Sequence, residues 1–283
     1  MNKFSKSCLH ARRITRFFLV MVVILFGISQ SSFAKDGSIT ISGSTTVLPI
    51  AQNLAEVFMD RNLDVDISVQ GGGSGVGIAS LIDGACDIAN ASRPIKDKEI
   101  DKARSKGIDP QPNVVAMDGI AVIIHSSNPV SALSQEQLTG IFTGKLSNWG
   151  KIGGPRRKIV VVSRDSASGT FEAFNHLALG KKRVRPDALM QASNQAVASI
   201  VSKTPGAIGY VGLGYLSAAV KPVMIEGIMP SKATVLSGDY ILARPLFMYT
   251  NGKPTGAVKN FFEFALSEEG QKMVRGLGFV GMK

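Results

Sequence analysis

Two strand-like segments near the start of the chain each run into a turn of glycine, serine and threonine, and this repeated order most constrains the fold. Ile39 to Ile41 leads into Gly43-Ser44-Thr45-Thr46, after which apolar residues from Val47 to Phe58 recur at helical spacing. Val65 to Val69 alternates like a strand and leads into the glycine-rich run Gly71 to Gly77, which a further helix follows. Strand, glycine-rich turn and helix in this order are typical of α/β proteins with a parallel sheet.

The same alternation continues along the rest of the chain. Further predicted strands are Asp87 to Ser92, Ile120 to His125, Ile159 to Val162, Ile208 to Val211 and Pro245 to Tyr249. Predicted helices are Leu138 to Phe142, a segment with Phe171, Phe174 and Leu177 on one face, and a C-terminal helix marked by Val258, Phe261, Phe262, Ala265 and Met273. This layout predicts two α/β lobes.

The first 34 residues have the composition of a segment that export removes. They hold five basic residues and no acidic one, an apolar run from Phe17 to Ile28, and the small residues Ser32 and Ala34. A basic start, an apolar middle and small residues at the cut are the three parts of a secretory signal peptide. We therefore predict a signal peptide over residues 1–34. The alternative is an uncleaved membrane anchor, although the run is shorter than the roughly 20 residues of a spanning helix.

The charge distribution favours an anionic ligand over nucleic acid. Removal of residues 1–34 lowers the formal net charge from +11 to +6. Residues 118–244 hold 14 basic and 7 acidic side chains, and this segment is therefore the positive part of the chain. Its basic runs, Arg156 to Lys158 and Lys181 to Arg183, lack interleaved aromatic residues, so we predict no nucleic-acid binding. A field of this sign attracts an anionic ligand or partner.

Three polar turns share one chemistry. Gly43 to Thr46, Gly73 to Gly75 and Ser168 to Thr170 each stand where a predicted strand leads to a helix. Helix N termini leave backbone N–H groups unpaired, and they bind anions. Arg164 stands four residues before Ser168, so its guanidinium and the helix start can address the same oxyanion. Each turn alone is equally explained as a helix cap, and Arg164 has an alternative as a surface residue paired with Asp165.

The sequence lacks the motifs of nucleotide-binding, esterase and metal sites. The run Gly71 to Gly77 does not fit the dinucleotide-binding pattern GxGxxG, no Gly-Lys-Ser/Thr occurs, and Val76 breaks the esterase pattern GxSxG. His125 and His176 stand far apart in sequence without metal-ligand spacing, so we predict neither a metal nor a cofactor. Cys86 is the only cysteine outside the predicted signal peptide, which excludes an internal disulfide.

The motifs as a set resemble those of a known family. They are Gly43 to Thr46, Val69 to Gly75, Asp87 to Arg93, Gly144 to Trp149, and Arg164 with Ser168 to Thr170. On these residues, which extend over essentially the whole mature chain, the sequence resembles the periplasmic phosphate-binding proteins of the high-affinity phosphate ABC transporter, in the type II periplasmic binding protein superfamily. The resemblance implies an α/β fold of two lobes, each a mixed sheet flanked by helices, joined by two crossing hinge strands. It implies a binding protein and not an enzyme.

The resemblance also implies which residues contact the anion. They are Thr45, Thr46, Ser74, Ser92, Arg93, Arg164, Asp165, Ser168, Gly169 and Thr170. The best-known members have an aspartate where this chain has Arg93. Such an aspartate accepts a hydrogen bond from protonated phosphate and repels fully ionised sulfate, so its absence bears on selectivity. Asp165 is the candidate substitute, and the alternative is that Asp165 only orients Arg164 through an ion pair.

Domain boundaries and partners follow from the same resemblance. The crossing strands would be those around Met117 to Val122 and Leu242 to Met248, so lobe one comprises residues 35–117 plus 245–283 and lobe two residues 118–244. The implied function is that of a monomer in the periplasm that captures inorganic phosphate between its lobes and delivers it to the permease of an inner-membrane ABC transporter. Another oxyanion, sulfate or molybdate, is the alternative ligand, and a secreted phosphoester hydrolase is the alternative from a different class.

Overall fold

Strands and helices alternate along residues 37–282, the part of the chain that the computed structural model describes. The strands are β1 (Gly37–Gly43), β2 (Val65–Gly71), β3 (Ile88–Ala91), β4 (Pro110–His125), β5 (Ala132–Leu133), β6 (Val160–Arg164), β7 (Leu189–Gln191), β8 (Ala207–Gly212), β9 (Val220–Pro222), β10 (Met224–Ile225) and β11 (Ala243–Asn251). The helices are α1 (Leu48–Arg61), α2 (Ser74–Ile82), α3 (Asp97–Ser105), α4 (Gln135–Thr143), α5 (Gly169–Leu177), α6 (Asn194–Lys203), α7 (Lys232–Leu236), α8 (Gly256–Ala265) and α9 (Glu268–Gly276).

Local sequence signals explain where several helices begin. Pro49 lies in the first turn of α1, where its missing N–H costs no intrahelical hydrogen bond. The hydroxyl groups of Ser134, Ser168, Ser193 and Ser267 cap α4, α5, α6 and α9 by accepting a hydrogen bond from the backbone N–H three residues later. Such caps stabilise a helix by about 1 kcal/mol because they satisfy an otherwise unpaired donor.

The main sheet has the strand order β2-β1-β3-β11-β4-β8-β6-β7, and β9 also pairs with β4. Pairing is parallel within β2-β1-β3 and within β8-β6-β7, whereas β11 and β4 are antiparallel to each other and to their outer neighbours. Gly43 at the end of β1 lies opposite both Gly71 and Asn90. The turns that follow these three parallel strands therefore meet at one edge of the sheet.

Strands β4 and β11 connect the two halves of the sheet. The first part of β4, up to Gly119, pairs with β11, and the last part, from Ile120, pairs with β8 and β9. In the ladder between them, Asp118 lies directly opposite Arg244. A polar pair thus stands where β4 passes from one half of the sheet to the other.

Each half of the sheet packs around its own large hydrophobic cluster. One packs Ile120 to Ile124 of β4 with residues such as Trp149, Phe174 and Tyr210. The other packs β1, β2 and α1 against α8 and α9, with Phe58 and Phe261 in edge-to-face contact. Each large apolar side chain that is fully buried contributes roughly 1.5–3 kcal/mol, so a core of this kind is stable without disulfides. Cys86 is buried and free in a third, smaller cluster.

The structure confirms the predicted strands and helices and corrects two of them. Val258 and Met273 do not belong to one helix: α8 ends at Ala265, and Ser267 starts α9 by accepting from the Gly270 N–H while its hydroxyl donates to the Phe264 carbonyl. The strand predicted over Ile120 to His125 is the end of a 16-residue strand. Prolines and polar residues at the start of β4, which are not buried, hid its strand character, although Val115 and Ala116 further along lie in the core.

The predicted signal peptide, residues 1–34, lies outside the described residues. Within residues 37–282, none of the helices combines the length and the apolar character that crossing a bilayer requires.

Candidate anion-binding site

The turn after β1 carries Thr45 and Thr46 into a buried position. Their side chains are 7% and 0% exposed, and the Thr46 N–H donates to Ser44 Oγ at 3.2 Å. The Ser44 N–H donates to the carbonyl of Asn90 at 2.8 Å, which fastens this turn to the end of β3. The two threonine hydroxyls are thereby presented at the edge where the parallel strands end.

The second turn, Gly73 to Gly75, packs against the third, Ser168 to Thr170. Gly73 has a φ of +98°, and a Cβ there would lie only 2.6 Å from the carbonyl oxygen of Ala167, so glycine is required on both grounds. The Gly75 N–H donates to that carbonyl at 2.9 Å. The start of α2 therefore touches the loop that leads into α5.

Serine hydroxyls surround the start of α5. Ser74 Oγ accepts from the Ser92 N–H at 3.0 Å and lies 3.4 Å from Ser92 Oγ, and Ser168 Oγ accepts from the Phe171 N–H at 3.2 Å. A Cβ on Gly169 would overlap Ser74 Oγ and lie 2.8 Å from Ser92 Oγ. Glycine at this position lets the three turns approach one another closely.

Arg164, the last residue of β6, brings a buried cation to this place. It is 1% exposed; its Nε donates to the Gln191 carbonyl at 3.0 Å, and its Nη2 donates to the Ala192 carbonyl at 2.8 Å and to Thr45 Oγ1 at 3.2 Å. Its Nη1 is buried and has no acceptor among residues 37–282. Burial lowers the pKa of the guanidinium, which stays protonated because arginine begins so far above neutral pH. Arg164 thus offers an unpaired charged donor.

A second buried arginine, Arg244, lies among the same side chains. Its Nη2 donates to Asp118 Oδ2 at 2.9 Å, to Thr170 Oγ1 at 3.1 Å and to Thr46 Oγ1 at 3.3 Å, and its Nη1 donates to the Ser92 carbonyl at 3.0 Å. Burial lowers the pKa of Arg244 and raises that of Asp118 by desolvation, while their mutual attraction opposes both shifts. We call Asp118, Arg244, Thr46 and Thr170 the Arg244 cluster.

Asn194, at the start of α6, joins the first turn to β8. Its Nδ2 donates to Thr45 Oγ1 and to Thr46 Oγ1, both at 3.0 Å, and its Oδ1 accepts from the Gly212 N–H at 3.2 Å. The hydroxyl of Tyr215 donates to the carbonyl of Thr45, and burial raises the pKa of this tyrosine to about 12. The threonines are therefore held from several elements that are distant in sequence.

This arrangement, hydroxyl groups from three helix starts around a buried arginine, suits an oxyanion, and comparison with known proteins points the same way. The family sequence profile of the PBP superfamily domain matches residues 29–269 of this chain. The phosphate-binding protein PstS of Bacillus subtilis is 37% identical over 255 residues, which cover 87% of this chain and 82% of that protein. PstS of Borreliella burgdorferi is 30% identical over 94% of this chain and 97% of its own length.

The chain belongs to the PstS family of the PBP superfamily. Solved structures agree with this assignment. A protein from Clostridium perfringens, described as a phosphate ABC transporter substrate-binding protein and solved with bound phosphate, superimposes with a TM-score of 0.82 at 34% identity and covers 87% of this chain and 100% of its own. An ABC-type phosphate transport receptor from Vibrio cholerae gives a TM-score of 0.71 at 32% identity, over 86% of this chain and 99% of its own. The fold is therefore the two-lobed α/β fold of this family.

Two of the residues predicted for the site of this PstS-family chain have other partners. Arg93 is 5% exposed; its Nη1 and Nη2 each donate to a carboxylate oxygen of Glu99 at 2.8 Å, and its Nε lies 2.8 Å from Glu172 Oε2. Lys96 pairs with the other oxygen of Glu172. We call Arg93, Lys96, Glu99 and Glu172 the Arg93 cluster. The donors of Arg93 thus face carboxylates in this structure, and its predicted contact with the anion stays a prediction.

Asp165 is also engaged locally. Its Oδ1 accepts from the Ala167 N–H at 3.1 Å, which closes the turn between β6 and α5. No hydrogen bond joins it to Arg164 within residues 37–282, although its charge favours the protonated form of that arginine. Its side chain shapes the loop and does not form the ion pair with Arg164 that was the alternative to a role as proton acceptor.

The other eight predicted residues lie together, and three further residues were not predicted. Thr45, Thr46, Ser74, Ser92, Arg164, Ser168, Gly169 and Thr170 are all buried around the start of α5. Asn194, Asp118 and Arg244 were missed because each is a single polar residue with no motif around it. A signal was nevertheless present: Asp118 and Arg244 are charged residues within the largely apolar segments predicted as hinge strands, where an unpaired charge is costly.

Proposed function

We propose that this protein binds inorganic phosphate and delivers it to the permease of an ABC transporter for import. The observation that carries the proposal is Arg164 Nη1, a buried charged donor without an acceptor among residues 37–282, beside hydroxyl groups from three helix starts. Burial of a charged N–H group without an acceptor costs free energy, and a bound anion would offset that cost by accepting from Nη1. The relatives named as phosphate-binding proteins support phosphate as that anion.

The proposed ligand contacts divide by chemistry. Arg164 Nη1 supplies charge, the hydroxyl groups of Thr45, Thr170, Ser74 and Ser92 supply neutral donors, and the first N–H groups of α5, from Gly169 onward, supply the partial positive charge of a helix start. Ser168 contributes as the cap that exposes those N–H groups. An oxyanion with four oxygens can take hydrogen bonds from all of these groups at once.

We further propose the lobe boundaries 35–117 plus 245–283 and 118–244, with closure of the lobes around the ligand. The two large hydrophobic clusters support this division, because one draws on β1, β2, α1, α8 and α9, and the buried residues of the other, apart from Val280, lie between Ile120 and Leu242. Under these boundaries the site is shared: Thr45 and Ser74 come from lobe one, and Arg164 and Thr170 from lobe two. A ligand that contacts both lobes favours the state in which they meet.

We propose a binding protein without catalytic activity, cofactor or metal, a monomer without affinity for nucleic acid, exported to the periplasm by cleavage of residues 1–34. The relatives are named as binding proteins, not enzymes, and this supports the first point. The signal-like composition of residues 1–34 supports export to the periplasm and cleavage. N-terminal sequencing of exported protein that began at Met1 would contradict cleavage.

Calorimetric titration of the mature protein, stripped of bound ligand by unfolding and refolding, tests the proposed function. We expect saturable one-to-one binding of phosphate, and weaker binding of sulfate and molybdate. A chromogenic phosphoester assay serves as the control for the hydrolase alternative, and we expect no turnover. Failure of phosphate to bind, while sulfate or molybdate binds, would assign the protein to another oxyanion.

A further inference from the structure

The hydroxyl group of Thr45 has both of its acceptor positions filled. A hydroxyl carries one proton to donate and two lone pairs that accept. Thr45 Oγ1 accepts from Arg164 Nη2 at 3.2 Å and from Asn194 Nδ2 at 3.0 Å, and neither of these groups can accept in return. The proton of Thr45 must therefore be donated elsewhere, and no acceptor for it lies among residues 37–282.

The hydroxyl groups of Thr46 and Thr170 are joined by a hydrogen bond, and this pair also leaves one hydroxyl proton to be donated elsewhere. Thr46 Oγ1 accepts from Asn194 Nδ2 at 3.0 Å and from Arg244 Nη2 at 3.3 Å, so its proton goes to Thr170 Oγ1 at 2.9 Å. Thr170 Oγ1 accepts that proton and a second hydrogen bond from Arg244 Nη2 at 3.1 Å. Its own proton is then free to be donated outward.

The two residues that fill these lone pairs are themselves held in one orientation. The Gly212 N–H donates to the Asn194 amide at 3.2 Å, so the accepting atom must be Oδ1 and the amide NH2 must face the threonines. One N–H of Arg244 Nη2 is taken by Asp118 Oδ2 at 2.9 Å, and the other is shared between Thr46 and Thr170. Asn194 and Arg244 are 0% and 4% exposed, so water does not compete for these positions.

We propose that Asn194 and Arg244 are positioning residues that orient the hydroxyl groups of Thr45 and Thr170 as hydrogen-bond donors toward the bound anion. This inference rests on the proposed function and deepens it. With their acceptor positions filled, these two hydroxyl groups can only donate, so neither can accept the proton of hydrogen phosphate. Another group of the site must accept that proton.

A double-mutant cycle on phosphate affinity tests the proposal. The variants are Asn194→Ala, Thr45→Val and the combination, each stripped of ligand and titrated with phosphate. Each single substitution should weaken binding roughly tenfold, the value of one well-formed hydrogen bond to a charged group. If Asn194 acts through the Thr45 hydroxyl, removing both should weaken binding far less than the roughly hundredfold product of the single effects. In a Thr45→Ser background, which keeps the hydroxyl group, Asn194→Ala should again weaken phosphate binding roughly tenfold.

Matched controls separate positioning from general damage to the fold. Asn128→Ala removes another buried asparagine, whose Oδ1 accepts from the Val130 N–H in a turn after β4, and should leave phosphate affinity unchanged. Thermal melting checks that each variant is folded at the assay temperature. If Asn194→Ala is not, Asn194→Asp replaces it in the same cycle because it keeps the side-chain volume.

The outcomes are distinguishable. If wild-type protein does not bind phosphate, the proposed function is wrong, and the inference is wrong with it. If the wild type binds but Asn194→Ala has wild-type affinity, or if the two single effects multiply in the double variant, then Asn194 does not act through the Thr45 hydroxyl. In that case the inference is overturned and the proposed function stands.

Discussion

Arg244 and Arg93 are equally hidden from solvent, at 4% and 5% exposed, yet they are held in different ways. Arg244 lies opposite Asp118 in the ladder between β4 and β11, so sheet register fixes the pair. Arg93 follows β3 and reaches Glu172 on α5, a residue with which it shares no regular secondary structure. The Arg244 cluster is thus part of the scaffold of the site, whereas the Arg93 cluster is a contact that can separate without breaking a strand.

Because of this difference, we expect the two clusters to have different roles. A pair within a strand ladder keeps its geometry whether or not a ligand is present, so it can orient the threonine hydroxyls beforehand. A pair between a loop of proposed lobe one and a helix of proposed lobe two exists only when the lobes meet. The first should therefore affect folding stability most strongly, and the second should affect the lifetime of the closed complex.

The largest expected effect is on stability, from Asp118→Ala. Removal of this carboxylate leaves Arg244 buried without its counter-charge, and breaking a buried pair in this way typically costs about 3–5 kcal/mol of unfolding free energy. Urea denaturation of the ligand-free protein measures it. Glu269→Ala, which removes an exposed carboxylate paired with Arg61, is the control and should change stability little. Equal midpoints for the two variants would contradict the scaffold role of Asp118.

Arg164→Ala should have the largest effect on binding. Loss of a buried, charge-assisted contact is expected to cost on the order of 2–5 kcal/mol of phosphate affinity, whereas Lys182→Ala removes an exposed charge and should mainly slow association. Calorimetry gives the affinities and stopped-flow mixing the association rates. Similar losses of affinity in the two variants would show that Arg164 lies outside the site.

A smaller effect is expected when the Arg93 cluster is disrupted by Glu172→Gln. The substitution keeps the size of the side chain and removes the negative charge that Arg93 and Lys96 share. For a partly exposed ion pair, this loss should destabilise the closed complex by about 1 kcal/mol. It should speed phosphate release several-fold and leave the unfolding midpoint nearly unchanged. Glu263→Gln, which disrupts an exposed pair with Lys259, is the control. Unchanged release rates would mean that this contact does not hold the lobes together.

Salt concentration sharpens the same comparison. An ion pair at the edge of a cleft is screened by salt, whereas a pair inside the sheet is screened much less. Raising the ionic strength should therefore speed phosphate release from the wild type more than from Glu172→Gln. An equal increase in the release rate of both proteins would mean that the Arg93 cluster does not stabilise the closed state.

The sequence allowed prediction of those parts of the site that rest on local signals. One turn of glycine, serine and threonine between a strand and a helix is equally explained as a helix cap, but three such turns together favour an anion site. Arg164 stands close enough to Ser168 in the chain to be assigned with it. The predicted ligand contacts of Arg93 and Asp165 rest on sequence proximity to other ligand residues, and they stay predictions. Their actual partners, Glu172 and the Ala167 N–H, are known only once loops and helices are placed in space.

The residues that were missed depend on long-range contacts. Asn194 reaches threonines that are almost 150 residues earlier, and Arg244 reaches Asp118 only through the register of two strands. No periodicity encodes such pairs. A charged residue beside an apolar strand segment does indicate that a partner exists, because burial of a lone charge is costly, but it does not indicate which partner.

The smallest expected effect belongs to Asp165→Asn, which tests whether Asp165 takes the proton of bound hydrogen phosphate. In the structure its Oδ1 accepts from the Ala167 N–H and closes the turn before α5, a role that an asparagine oxygen also fulfils. We therefore expect the substitution to strengthen phosphate and sulfate binding alike, by a small amount, because it removes a negative charge near Arg164 that repels both anions. The ratio of the two affinities should stay constant. Competition titrations of the variant with both anions measure that ratio. A selective loss of phosphate affinity would instead make Asp165 the proton acceptor and would require the loop to rearrange when the ligand binds.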